Sequence, residues 1–74
     1  MIEKILATAK SLGFATQLSE ENYWQVLPQK PAESWMLTYI ESRWTLSVKN
    51  VPQLRLNERE AIAFLSSRSQ VENK

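Results

Sequence analysis

The chain contains no histidine, no cysteine and no aspartate, so acid–base or nucleophilic chemistry would fall to its eight glutamates and its hydroxyl side chains. Ser-His-Asp triads, thiolate nucleophiles, Cys/His zinc sites, disulfides and Asp-based calcium loops all lack their raw material. Paired carboxylates for glycoside chemistry must face each other across a cleft about 5 to 9.5 Å wide, and each glutamate here has a plainer use. Glu58 and Glu60 fall in the first turn of a helix, where negative charge is favourable; Glu20 and Glu21 fall in a turn, and Glu41 at a hairpin tip. With Gly13 the one glycine, glycine-rich phosphate loops are excluded. The helix N-terminus at Asn57, close to Arg55 and Arg59, offers free amides to an anion, but Asn57 and Glu60 are spaced to cap those amides themselves. These residues imply no catalytic group, no metal and no cofactor, and the chain reads as non-enzymatic.

At 74 residues the chain has room for one domain. Nine Lys and Arg against eight Glu leave a net charge of +1, far from the excess that holds a protein to nucleic acid or anionic lipid by electrostatics alone. Charged residues Glu3, Lys4 and Lys10 interrupt the apolar N-terminal stretch, and no run approaches the roughly 18 apolar residues of a membrane span. The expectation is a cytoplasmic protein with no membrane contact, a single domain over residues 1–68 and a polar tail over 69–74. A domain this small lacks a disulfide or metal to supplement its core. Its three Trp, two Tyr and two Phe must therefore carry much of the burial.

The elements that position these residues follow from periodicity. Ile2, Ile5, Leu6, Ala9 and Leu12 recur at helical spacing over residues 2–12, and Gly13 is the helix stop. From Phe14 the period changes to two, so residues 14–18 read as a strand or an irregular stretch. Glu20, Glu21 and Asn22 form a three-residue loop that pairs Leu18 with Trp24 and Thr16 with Val26. The second strand spans 23–27 and stops at Pro28, where a loop over 28–33 begins. The hairpin over 35–49 sets Tyr39 opposite Trp44, Leu37 opposite Leu46 and Trp35 opposite Val48. Either a two-residue turn at Glu41-Ser42 or a four-residue loop over 40–43 keeps that register, and the weak type I′ chemistry of Glu-Ser favours the longer one. Pro52 makes residues 51–56 an irregular or extended connector. Asn57 then caps a last helix over 58–68.

The predicted fold is α+β: a two-layer sandwich in which an antiparallel meander of three or four strands carries an N-terminal and a C-terminal helix on one face. Its expected core comprises the apolar face of the first helix, Phe14, Leu18, Trp24, Val26, Trp35, Leu37, Tyr39, Trp44, Leu46, Val48, and Ile62, Phe64 and Leu65 of the last helix.

The face left uncovered would present Tyr23, Leu27, Met36 and Ile40 among Gln, Thr and Ser, with Arg43 and Lys49 at its rim. An apolar centre with a polar border is the pattern of an interaction surface, and a sheet face can pair with its own copy about a two-fold axis. The functional expectation is a protein-interaction module or accessory subunit that forms a homodimer through this face. The alternative is RNA binding through the scattered Lys30, Arg43, Lys49, Arg55 and Arg68. It rests on the helix–three strands–helix order of double-stranded-RNA-binding domains, whose basic helix start is replaced here by Asn57-Glu58-Arg59-Glu60.

Arg43-Trp44-Thr45-Leu46, Val51-Pro52-Gln53-Leu54 and Glu60-Ala61-Ile62-Ala63-Phe64-Leu65 together resemble the C-terminal half of short cyanobacterial proteins of unknown function. That resemblance implies a cytosolic bacterial protein and assigns no functional residue.

Overall fold

The computed structural model describes residues 2–30 and 32–68. Helix α1 (Ile2–Ser11) is followed by strands β1 (Ala15–Leu18), β2 (Trp24–Leu27), β3 (Trp35–Ile40), β4 (Arg43–Val48) and β5 (Val51–Leu56), and helix α2 (Glu58–Arg68) closes the order. The strands form one antiparallel sheet in sequence order, β1-β2-β3-β4-β5. Both helices pack on one face of it, so the architecture is the two-layer α+β sandwich that the periodicity predicts. The expected tail, residues 69–74, lies outside the described residues. Among the described residues no helix is long and apolar enough to cross a membrane.

Local chemistry sets the helix ends. Gly13 adopts φ 93°, where a Cβ is costly. The Phe14 amide donates to the Ala9 carbonyl at 2.9 Å and the Gly13 amide to Lys10 at 3.1 Å, the paired bonds of a Schellman stop. At α2 the Asn57 side chain accepts from the Glu60 amide at 2.8 Å while Glu60 Oε1 accepts from the Asn57 amide at 2.9 Å, a reciprocal capping box.

Residues 15–18 do form a strand, and the loop at Asn22 (φ 71°) gives the predicted pairs Leu18 with Trp24 and Thr16 with Val26. The 35–48 hairpin keeps its predicted register. Its turn differs: Ile40 pairs with Arg43, and Glu41 (φ 53°) and Ser42 (φ 66°) take the two left-handed positions of a two-residue turn. The strong cross-strand pairs outweigh the poor turn chemistry. Lys49 (φ 54°) and Asn50 (φ 68°) make a second such turn, and the stretch expected to be a connector is the fifth strand. Pro52 is compatible with it because β5 is an edge: Val51 pairs with Val48 at the turn, so the missing Pro52 N–H falls on the open side. The five-strand order also removes the topological analogy behind the RNA-binding alternative.

The core comprises Ile5 and Ala9 of α1, Ala61 and Leu65 of α2, and Phe14, Val26, Trp35, Leu37, Trp44, Leu46 and Leu56. Trp35 packs edge-on to Phe14 (centroids 5.5 Å apart) and Phe64 (5.0 Å). Its indole N–H donates to Glu33 at 2.8 Å. Three expected core residues sit instead at its margin: Leu18, Trp24 and Val48 are 50%, 36% and 37% exposed. The physical reason is reach. Helices of 10 and 11 residues extend about 15 to 17 Å and cover the middle of the sheet, leaving the corners bare.

Candidate interaction face

On the uncovered face the strand registers align side chains in rows across the sheet. One row is polar throughout: Gln17 pairs with Gln25, Gln25 with Thr38, Thr38 with Thr45, and Thr45 with Arg55. Gln17 Nε2 donates to Gln25 Oε1 at 2.6 Å, and Gln25 Nε2 donates to Thr38 Oγ1 at a long 3.5 Å, so part of the row is a side-chain ladder. Arg55 ends it with a 3.6 Å contact to Glu41. Both groups of that pair are exposed, and it contributes little to stability.

Apolar residues flank the ladder. On one side Ala15 pairs with Leu27, Met36 with Ser47 and Ser47 with Pro52, and the β2–β3 register brings Leu27 level with Met36. On the other side the same register brings Tyr23 level with Ile40, whose partner is Arg43. Leu27, Met36 and Ile40 are half-buried, Tyr23 is 40% exposed, and Arg43 is exposed at the margin. Thr38 and Ser47 are buried although neither helix covers their face.

Five of the six residues singled out from the sequence therefore share this face. Lys49 does not join them. It occupies the β4–β5 turn, at the opposite end of β4 from Arg43, and lines a separate cleft of about 350 Å³ with Glu33, Ser34, Trp35, Val48 and Arg68. Arg68 itself lies over the Phe64 ring, 5.3 Å from its centroid.

Known proteins supply no further guide. No family model, curated protein or solved structure matches the chain. The face must be read from its own chemistry.

Taking β5 as a connector hid part of it. A groove of about 380 Å³ runs between Ile40 and Thr45 on one side and Pro52, Gln53, Leu54 and Arg55 on the other. The register shifts at this edge between Leu46 and Ser47: Leu46 pairs with Leu54 and Ser47 with Pro52, so Gln53 is an extra residue of the bulge kind. The alternation of Gln53 and Arg55 with Leu54 and Leu56 is a strand signal that Pro52 masks.

Among the described residues, Glu20, Glu21, Glu33, Glu41 and Glu60 are held in separate places. Glu33 accepts from Trp35, Glu41 meets Arg55, Glu60 caps α2, and Glu20 and Glu21 lie in the β1–β2 turn. Among the described residues no group of three or more His, Cys, Asp or Glu is placed to hold a metal ion.

Proposed function

We propose that the chain is a non-enzymatic protein-interaction module that associates with a second copy of itself through the outer sheet face. The carrying observation is the composition of that face, in which Tyr23, Leu27, Met36 and Ile40 flank a neutral amide and hydroxyl ladder and the charges, Arg43 and Arg55, stand at the margin. A face meant for water alone is expected to carry charge across its middle. Size supports the same reading. The molecule measures 38 × 27 × 20 Å, so a broad side accommodates a standard interface of about 800 Å² per partner. A second copy is a chemically suitable occupant, since apolar flanks and a neutral ladder match themselves about a two-fold axis without opposing like charges. The reading includes a cytoplasmic location, with which a cysteine-free sequence is compatible.

Sedimentation equilibrium at tens of micromolar tests it. Met36→Lys combined with Ile40→Lys is expected to halve the assembly's mass while leaving the far-UV spectrum and the cooperative melt in place. A wild-type monomer at those concentrations, or an unchanged mass in the double variant, overturns the reading.

A further inference from the structure

The two edges of the sheet are not equivalent. Strand edges offer unpaired amides and carbonyls, and proteins that keep them free use proline, charge or a bulge to do so. Strand β5 has all three: Pro52, Arg55 and the register shift opposite Leu46 and Ser47. Strand β1, Ala-Thr-Gln-Leu, has none of them. Its outward groups can be assigned. The Ser19 amide donates across the hairpin to the Tyr23 carbonyl at 2.8 Å. By antiparallel alternation Gln17 and Ala15 also face β2, while Thr16 and Leu18 turn their amides and carbonyls to the open side.

We infer that β1 pairs antiparallel with β1 of a second copy, joining two five-stranded sheets into one of ten strands. Thr16 of each copy bonds with Leu18 of the other, so all eight outward groups of these residues are satisfied. Gln17 then lies opposite the second copy's Gln17 on the two-fold axis, and the ladder Thr38-Gln25-Gln17 continues through the axis into its own mirror order. On the helix side Leu18, 50% exposed in the single chain, comes to lie beside the second copy's Thr16. Trp24, 36% exposed and paired with Leu18, covers it from the flank. These apolar contacts matter because a four-residue edge alone forms few bonds. The strand carries no charge, so self-pairing places no like charges together. This contact is distinct from the outer face and does not depend on it.

Two variants test the pairing in the intact chain. Gln17→Cys places the protein's sole thiol on the axis, where non-hydrogen-bonded partners have Cα atoms about 4.5 Å apart, inside the range a disulfide spans. Mild oxidation is expected to convert most of it to a covalent dimer on a non-reducing gel, whereas Ser66→Cys on exposed α2 stays uncrosslinked. Thr16→Pro deletes an outward amide that takes no partner among the described residues. It is expected to halve the mass in solution and keep the melting temperature of the isolated subunit. A Gln17→Cys chain that crosslinks no faster than the Ser66→Cys control overturns the inference, as does a folded Thr16→Pro variant with wild-type mass. An assembly that responds to Met36→Lys with Ile40→Lys but not to Thr16→Pro retains the outer face and rejects the edge; the converse result does the opposite.

Discussion

The side-chain amide of Gln29 donates to the carbonyl of Leu12 at 3.1 Å and so ties the end of α1 to the loop between β2 and β3. Gly13 makes the approach possible. A Cβ there would run into Gln29 Nε2, and φ is already 93°.

Gly13→Ala is therefore expected to cost about 1 to 3 kcal/mol, from left-handed strain and the displaced amide together. Gln29→Ala alone should cost about 1 kcal/mol. Because the two changes act on one contact, their sum should exceed the double variant's loss. Urea denaturation of the four chains checks this, and strict additivity would show that Gly13 and Gln29 are uncoupled.

Position within the helix-side layer should separate large from negligible effects. Trp44 is 2% exposed, meets the Tyr39 ring at a 50° tilt with centroids 5.0 Å apart and lies in the core, whereas Leu54 on the same side of the sheet is 58% exposed. Trp44→Ala is expected to lose about 3 to 5 kcal/mol, a large share of the roughly 4 to 11 kcal/mol typical of a chain this size. Leu54→Ala should lose less than about 0.5 kcal/mol. Thermal melts of both variants measure the contrast.

The β3–β4 turn holds two non-glycine residues at positive φ, Glu41 and Ser42. Replacing the pair by Asn-Gly suits the type I′ geometry and should stabilise the chain by about 1 kcal/mol. The expected result is a higher urea midpoint at unchanged slope. An unchanged or lowered midpoint would mean that the contact of Glu41 with Arg55 contributes more than its exposure suggests.

Much of the fold was legible because large residues fell into register. Trp35, Leu37 and Tyr39 could share a face with Val48, Leu46 and Trp44 in only one parity, and Asn57 with Glu60 marked the start of α2 without ambiguity. Two features resisted. Pro52 read as a breaker because its cost depends on whether the strand is central or at an edge, which periodicity does not reveal. Leu18, Trp24 and Val48 read as core because alternation gives the side of a sheet but not how far the covering helices extend. The outer face was recovered in the same way, through parity, for Tyr23, Leu27, Met36, Ile40 and Arg43. Lys49 was misplaced because turn residues leave the alternation, and the groove beside Arg55 depended on β5.

The strand order bears on how the chain acquires its shape. Every pairing in the sheet joins neighbours in sequence, so each hairpin can close over a short loop at small entropic cost. The packing of α1 on α2 instead spans nearly the whole described chain. Folding rates follow the sequence separation of contacts, so the sheet is expected to assemble zipper-wise and the helix pair to dock last. Until that docking, the apolar layer of Val26, Leu37 and Trp44 is open to solvent. The first and last elements thus act as a clasp, and a lesion in either is expected to register as faster unfolding more than as slower folding.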